Sequence, residues 1–288
     1  KTAFNQIILS ILSTDSTFAA PAVTVNAFNN LQHRDELYYA IFRPMGGPRW
    51  PGNLKRYHVT RDGVILDANQ APAMNPTTGF FKDTARSDWS SSTDGYSVTK
   101  GGFAEQMSPI RNIYTYTGSA APSNERLNAL ENIFDPANTL ITNSMLGLDP
   151  STAPDERKAV MDWIAGIDVE GVNSPNPVHA FISDPLHSRP RVVTYGGTEN
   201  APDDTVFFAT NMGHLHAVDS DNGQEVFSFM PQALLPNGLA YLEDDPTNSD
   251  KVYGLDGAIT VYRQENPDDV DVTIEAGEGD KVYVYAGM

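Results

Sequence analysis

The chain has 288 residues, enough for one large β domain or for two smaller domains that each bury a sizeable core. Its formal charge of −18, from 19 Lys and Arg against 37 Asp and Glu, makes nucleic acid and anionic membrane surfaces poor partners. It contains no cysteine, which excludes disulfides and thiolate metal sites, and no apolar run approaches the roughly 20 residues that span a bilayer. The 22 glycines, 20 prolines and 10% aromatic residues are typical of short strands joined by turns, so we expect a mainly β protein.

The first 45 residues are predicted to form a short helix followed by a β-hairpin. Apolar residues recur with helical spacing over residues 2–12, which predicts one buried helix face. Residues 21–28 alternate like a half-buried strand, and residues 36–44 are the expected antiparallel partner. The start has no initiator Met and only one basic residue, so it is not a signal peptide. The last strand stops at Met288 without a closing turn, so we expect both ends to lie inside a longer protein.

From Gly52 onwards the pattern favours a succession of hairpins. A breaker-rich link, "PMGGPRWP", covers residues 44–51 and leads into this region. Asp-Gly pairs then stand at 62–63 and 94–95, each between β-rich runs. Because Asp-Gly between such runs is a strong local hairpin signal, both are predicted to be hairpin turns.

Two helices are predicted to interrupt the strands. The first covers 123–134, where Leu127, Leu130 and Phe134 would form one buried stripe behind a Ser123 cap. The second covers 152–166, with Thr152 as the N-cap, Asp155 three residues later and Gly166 at the end. Its buried face would hold Val160, Trp163 and Ile164. After Val178 only strands are predicted, apart from the acidic stretch "EDDPTNSDK".

An internal echo points to a repeating β architecture. Residues 73–83, "AMNPTTGFFKD", and 217–227, "AVDSDNGQEVF", share Ala, an apolar residue, Asn or Asp, three turn residues and Gly. Two copies do not establish a repeat, but they fit the strand-turn-strand edges of β-propeller blades.

The stretch "GHLHAVDSDNG" at 213–223 offers both a metal-site and a turn interpretation. On a strand His214 and His216 would point to one face, but a metal site would need a third ligand from elsewhere. A calcium loop starting at Asp219 would need Gly and Glu where Gln224 and Met230 stand. We therefore interpret the stretch as a hairpin turn, with polar histidines on the strand before it.

The sequence offers little evidence of a catalytic motif. The sequence has no G-x-S-x-G elbow, no Walker A loop and no H-E-x-x-H. Asp184, His187 and Ser188 are triad residue types, but they lie too close together for the usual orienting geometry, and a structural pair between Asp184 and Arg189 is favoured. The three tryptophans, Trp50, Trp89 and Trp163, are predicted to be core residues rather than stacking platforms.

An ordered set of phrases over nearly the whole chain resembles the C-terminal half of the PilY1 family of large type IV pilus-associated proteins. The phrases are "FAAPAVTVNAFN" (18–29), "ELYYAIFRP" (36–44), "WPGNLKRY" (50–57), "SDWSSSTDGYSVTKGGFAEQ" (87–106), "RNIYTYTG" (111–118), "SDPLHSRPRVV" (183–193), "TNMGHLHAVDSDNGQEVFSFMP" (210–231) and "YGLDGAITVY" (253–262).

The resemblance implies a partial β-propeller of the quinoprotein alcohol dehydrogenase-like type over residues 46–288, with a short N-terminal helix and two inserted helices. Residues 1–45 would link it to an upstream von Willebrand A-like region. Met288 would then lie in the middle of the propeller. The resemblance assigns its family-motif positions to Asp184, His187, Arg189, Asn211, Gly213, His216, Gly223, Asp256 and Gly257.

The resemblance assigns no cofactor to this segment. Where the family has Asn-Asp-Gly, this chain has Asn211-Met212-Gly213, so no contact by that aspartate is carried over. The family's acidic calcium-binding loop has no acceptable match in residues 1–288, so any Ca²⁺ site is expected elsewhere in the full-length protein.

The function implied is that of a non-enzymatic tip adhesin and biogenesis protein of an exported, extracellular kind. Such proteins sit with minor pilins at the pilus tip, promote assembly against retraction in twitching motility, and attach to host or abiotic surfaces. The acidic stretches 242–250 and 263–271 are the candidate contact loops, and solvated turns are the alternative. A PQQ-dependent quinoprotein dehydrogenase is a second hypothesis, against which stand a single good copy of the Ala-x-Asp-x-x-x-Gly-x-x-x-Trp pattern, with Phe227 for Trp, and the missing cysteines. A purely structural filament component is the third.

Overall fold

A computed structural model describes residues 18–25, 33–118, 125–171, 178, 181–244, 251–266 and 273–288. Over these residues the protein is mainly β with few helices, as its composition predicts. The helix predicted for residues 2–12 lies outside the described residues. The strands are β1 (Phe18–Val25), β2 (His33–Phe42), β3 (Pro51–Val59), β4 (Ile65–Leu66), β5 (Ile113–Tyr114), β6 (Ile182–Ser183), β7 (Arg191–Thr198), β8 (Ala201–Ala209), β9 (Leu215–Asp219), β10 (Glu225–Phe229), β11 (Ile259–Gln264) and β12 (Lys281–Ala286). The described helices are α1 (Gly102–Glu105), α2 (Pro154–Ile164) and α3 (Leu235–Glu243), with 3₁₀ turns at Leu130–Asn132, Ser144–Leu146, Gln232–Leu234 and Ala276–Glu278.

The first sheet has the order β1-β2-β3-β4, with β6 paired to the start of β3. The predicted hairpin between 21–28 and 36–44 is confirmed, since β1 and β2 are antiparallel with Phe18 opposite Phe42. Both faces of β2 are buried: Tyr38 and Ala40 lie on one side, and Tyr39 and its neighbours on the other. A strand apolar on both faces has to lie between two packed layers.

The second and third sheets follow in chain order. The second is an antiparallel meander, β7-β8-β9-β10, with β5 added parallel to β10. The third consists of β11 and β12, which pair antiparallel from Ile259 opposite Ala286 to Gln264 opposite Lys281. Loop closure between neighbouring antiparallel strands needs only short turns, which explains the high density of glycine and proline.

The three sheets pack face to face in that order. Alternate residues of β8 supply the two interfaces: Phe208 joins the core with Tyr38 of the first sheet, and Phe207 joins the core with Ile259 of the third. Over the described residues the sheets do not close into a ring, so the propeller stays a prediction.

A tryptophan docks the first sheet onto the second. The indole N–H of Trp89 donates to the carbonyl of Ser220 at 3.0 Å. A Cβ on Gly223 would lie 2.5 Å from the Trp89 ring, so only glycine allows this approach. The predicted core role of Trp89 is confirmed, because its side chain is buried in the interface between the sheets.

The sequence echo is a structural one. In both copies the glycine N–H donates to the carbonyl four residues earlier, Gly79 to Asn75 at 2.8 Å and Gly223 to Asp219 at 2.9 Å. Each Asn or Asp also accepts through its side chain the N–H two residues on, and both glycines have φ near +74° (73° and 74°). The hairpin interpretation of "DSDNG" is confirmed, since the turn joins the antiparallel strands β9 and β10.

Helix α2 confirms the second predicted helix, with a corrected cap. Its buried residues include Val160, Trp163 and Ile164, and Gly166 follows its end at φ 90°. The N-cap is Ala153, not Thr152, because Pro154 occupies the first turn and fixes the backbone there without a side-chain cap.

The helix predicted over 123–134 is wrong for its described part, and Ser123 lies outside the described residues. In its place Leu130–Asn132 form a single 3₁₀ turn. The next residues pair with β5 instead: Phe134 N–H donates to the Ile113 carbonyl at 2.8 Å. Phe134 is buried as predicted, but Leu130 stays exposed, because a strand-like contact replaces the helix.

Helix α3 contradicts the prediction of strands only after Val178. Pro236 in its first turn and Gly238 within it conceal the helix in the sequence. Gly238 is required by packing, since a Cβ there would overlap the side chain of Ile164 on α2. The close approach of the two helices therefore offsets the poor helix propensity of glycine.

The two Asp-Gly pairs have different fates. Gly63 takes φ 80° between β3 and β4, so the first predicted hairpin is confirmed. At the second pair no hairpin forms in this described region. Asp94 is buried instead, with its carboxylate 2.8 Å from the ammonium of Lys55 and bonded to Ser87 and Ser90. The chain still turns here, since Ser97 N–H donates to the Asp94 carbonyl at 3.0 Å and Gly95 takes φ 47°, but the turn does not join paired strands.

Candidate functional site

Charged and polar side chains meet where the loops of all three sheets converge. The loop between β2 and β3, the end of β6, the turn between β8 and β9, and the segment before β11 contribute to this cluster. Backbone bonds bring them together, since Asp184 N–H donates to the Trp50 carbonyl at 3.0 Å and Asn211 N–H to the Asp184 carbonyl at 2.9 Å. We call the cluster the clasp; it comprises Arg49, Trp50, Asp184, His187, Asn211, Tyr241, Lys251 and Asp256.

The centre of the clasp is a buried ion pair between Lys251 and Asp184. The ammonium donates to the Asp184 carboxylate and to the Tyr241 hydroxyl at 3.2 Å, and lies 4.7 Å from the centre of the Trp50 ring. The side chains of Lys251 and Asp184 are 8% and 0% exposed. Burial lowers the pKa of Lys251 and raises the pKa of Asp184, and in each case the charge of the partner opposes that change.

Asn211 connects the ion pair to a second carboxylate. Its Nδ2 donates to Asp184 at 2.7 Å and reaches Asp256 at 3.4 Å, while its Oδ1 accepts the Gly254 N–H at 3.0 Å. Asp256 in turn accepts the backbone N–H of His187 at 3.0 Å and lies 2.7 Å from its Nδ1. An amide has donors and an acceptor on one short side chain, so no other residue of this size serves all three positions.

Arg49 fastens the C-terminal end of α3. Its Nε and Nη2 donate to the carbonyls of Tyr241 and Leu242 at 2.5 and 2.6 Å. These carbonyls have no partner within the helix, and a cation at the negative end of the helix dipole is favourable. The guanidinium also binds both oxygens of Glu170 and lies 5.0 Å over the Trp163 ring.

Residues 48–50 therefore hold both ends of the acidic segment 242–250. Arg49 binds its start, and Lys251, directly after its end, reaches the Pro48 carbonyl at 3.4 Å and the Trp50 ring. Residues 245–250 lie outside the described residues, but the two positions where the chain enters and leaves them are fixed.

The second acidic segment, 263–271, is held in a related way. Asp280 accepts the N–H of Asn266 at 2.7 Å and the N–H of Glu275 at 2.9 Å, one on each carboxylate oxygen. These backbone hydrogen bonds lower the pKa of Asp280. Since residues 267–272 lie between the two bonded positions, one carboxylate closes the base of this segment.

The family-motif residues fall into four groups. Asp184, His187, Asn211 and Asp256 meet in the clasp. Arg189 is exposed, and the prediction that it pairs with Asp184 is wrong, because Asp184 pairs with Lys251. Ser188 accepts the Ala209 N–H at 3.2 Å, so the triad residue types each bind a different partner. The remaining motif positions are backbone features or belong to another cluster: Gly213 at φ 117°, Gly223 against Trp89, Gly257 against the Gly287 backbone, and His216.

His214 and His216 lie on one face, as predicted, with their rings stacked 5.2 Å apart. His216 Nδ1 lies 2.6 Å from Glu225, which binds Arg111 through both oxygens, and His214 Nδ1 lies 3.1 Å from the Ser228 hydroxyl. Burial lowers the pKa of both rings. Although burial acts in the opposite direction, the Arg111 charge holds the pKa of Glu225 well below its usual range. Among the described residues no three His, Cys, Asp or Glu side chains are arranged to hold a metal ion.

Sequence reasoning missed the cations of the clasp and Tyr241. Lys251 stands 67 residues from Asp184, and Arg49 stands 193 residues from Leu242 at the end of the helix that it binds. One signal was present: Lys251 is the single basic residue that ends a stretch of Glu and Asp. A cation at the edge of an acidic run relieves its repulsion and needs a carboxylate partner when it is buried.

Comparison with known proteins gives one partial match. Over 55 residues, 19% of this chain, the sequence is 38% identical to the Type IV pilus biogenesis factor PilY1 homolog of Xylella fastidiosa (strain Temecula1 / ATCC 700964). The match covers 4% of that relative, so the chain spans well under two thirds of its length. No family model matches the chain, and no solved structure matches it. In the part of the chain that the structure describes, no helix is long and apolar enough to cross a membrane. The comparison supports a partial, PilY1-like relationship and a loose link to type IV pili.

Proposed function

We propose that the chain is a non-enzymatic part of an exported, pilus-associated protein that presents acidic segments to partners at the tip of a type IV pilus. It would there support the balance of pilus assembly and retraction, and adhesion to cells or surfaces. The observation that carries the proposal is the clasp, which fixes both ends of an acidic segment on three packed sheets. The partial match to a PilY1 homolog supplies the pilus context.

The architecture supports a propeller of the quinoprotein-like type. Three sheets pack face to face in chain order, as neighbouring blades do. The Ala217-to-Gly223 turn matches part of the blade pattern, and Trp89, in the segment between β4 and α1, packs on that glycine.

Anchoring both ends of a contact segment favours tighter binding by that segment. Loops on a rigid scaffold carry binding residues in many folds, and ordering them before binding removes part of the entropic cost. Segment 242–250 carries Glu243, Asp244, Asp245 and Asp250, so its partner is expected to present a basic surface.

The test is co-purification of the full-length protein with tagged minor pilins, using a charge-matched control. Neutralising Glu243, Asp245 and Asp250 to Gln or Asn should reduce the recovered complex by about tenfold or more, while Asp244 is kept because its carboxylate lies 3.8 Å from Arg49 of the clasp. The control neutralises three exposed carboxylates elsewhere: Asp62, Asp83 and Glu125. Failure of the unaltered protein to co-purify where pili assemble, or equal loss in both variants, counts against the proposal.

A further inference from the structure

Two leucines that the sequence predicts to be buried face solvent. In the predicted stripe of Leu127, Leu130 and Phe134 only Phe134 reaches the core, while Leu130 is 80% exposed. Because Ile133 pairs with Tyr114 on β5, the segment cannot turn its leucines inward as a helix would. Exposed apolar side chains that adjoin one another on a fixed backbone are a mark of an interaction surface.

Leu130 lies on a groove of about 520 Å³, which we call the leucine groove. Ile133 and Leu140 add further apolar lining, and the carboxylates Glu131 and Asp135 lie on the same groove. The groove is open to solvent, and its volume lies within the range of about 300–1,000 Å³ that is common for ligand pockets.

The walls of the groove are held in place from inside. Asn138 Nδ2 donates to the carbonyls of Glu131 and Ile133 at 2.9 and 2.8 Å, which holds the two parts of the lining segment together. From α2, Arg157 donates to the carbonyls of Pro136, Asn138 and Ile141 at 2.7, 3.0 and 2.7 Å. The groove is therefore formed before any partner arrives, which lowers the cost of binding.

We propose that the leucine groove binds an extended protein segment in which an apolar side chain is flanked by lysine or arginine. The apolar lining takes the anchor, and Glu131 and Asp135 attract the flanking cations. No basic side chain is among the described residues that line the groove. A second copy of this chain fits poorly, because each copy brings a charge of −18. The site is separate from the clasp and does not depend on the proposed pilus function.

The probe is the peptide acetyl-Gly-Lys-Leu-Lys-Leu-Lys-Gly-amide, with a control peptide in which Glu replaces Lys. Methyl resonances of Leu130, Ile133 and Leu140 are followed during titration of the full 288-residue chain. Saturable shifts of these methyls by the basic peptide are expected, with affinity about tenfold weaker in Leu130→Asp. Ile110→Asp is the matched control, because Ile110 is 87% exposed and is not part of the groove.

Several results would overturn the proposal. They are an absence of saturable shifts in the groove methyls, equal binding of the acidic peptide, or equal weakening by Leu130→Asp and Ile110→Asp. Groove shifts that appear on concentrating the protein without peptide would make a second copy the occupant instead. Thermal melting shows whether the variant is folded. Since Leu130 is exposed, the melting temperature of Leu130→Asp should equal that of the unaltered chain.

Discussion

Replacing Lys251 with methionine removes the cation of the clasp and keeps most of the apolar stem. Asp184 then stays fully buried, and its remaining side-chain donors are the Asn211 amide at 2.7 Å and the Ser183 hydroxyl at 3.5 Å. Removing one partner of a buried ion pair costs about 3–5 kcal/mol. Because Asn211 still donates and the carboxyl can take up a proton, we expect the lower end, about 3 kcal/mol, at neutral pH. The loss should shrink as the pH falls, since the pKa of Asp184, already raised by burial, rises further without its cation.

Urea unfolding followed by tryptophan fluorescence measures the free energy, and Trp50 reports on the site because its ring lies 4.7 Å from the Lys251 ammonium. Lys158→Met is the matched control: Lys158 is 59% exposed and its pair with Asp162 should contribute less than about 0.5 kcal/mol. Adding Asp184→Asn to Lys251→Met should restore part of the loss, because the buried charge disappears. Equal losses in the Lys251 and Lys158 variants, or no recovery in the double variant, would refute the reasoning.

Gly223→Ala and Gly79→Ala compare two turns of the same geometry, with φ of 74° and 73°. Both substitutions place alanine in the left-handed region, which is unfavourable. Only at Gly223 does the new Cβ overlap the Trp89 ring, so Gly223→Ala should lower the free energy of unfolding by about 1–3 kcal/mol more than Gly79→Ala. Equal losses would show that the tryptophan does not dock there. Acidification tests the buried histidines. Because burial lowers the pKa of His214 and His216, the unfolded chain takes up protons at a higher pH than the folded chain. The free energy of unfolding should therefore hold above about pH 6.5 and decrease below it. Melting temperatures between about pH 6.5 and 5 should fall less steeply in His214→Asn than in the unaltered chain, and parallel slopes would contradict this.

Local turn chemistry was predictable because its causes are local. The Asp-Gly turn at 62–63 and the paired turns ending in Gly79 and Gly223 need only a residue free to take positive φ and a side chain that bonds its own backbone. Asp94 shows the limit. Asp94 is followed by glycine just as Asp62 is, so the sequence predicts a hairpin at both places. Asp94 is instead the buried partner of Lys55 on β3, and no local pattern indicates where a lysine will be buried.

Helix prediction failed for a related reason, in both directions. The stripe over 123–134 has helical spacing, yet a backbone pairing with Ile113 was available and took the segment. The residues of α3 have weak helix propensity, yet Gly238 lets the helix lie against Ile164, and packing supplies what propensity lacks. In each case a partner distant in the chain decided the outcome.

The clasp was partly predictable from the sequence and partly dependent on partners distant in the chain. Four of its residues could be named from the family resemblance, but the role of Asp184 depends on a lysine 67 residues away. A chain with a charge of −18 has few cations to place, and two of them, Arg49 and Lys251, stand at the two ends of one acidic segment. Burial makes that arrangement costly unless each cation is paired, and the carboxylates and helix-end carbonyls that pair them belong to the sheets and α3. The same contacts therefore neutralise the cations and anchor the two described ends of the segment, which ties the place where the segment leaves the sheets to the stability of the fold.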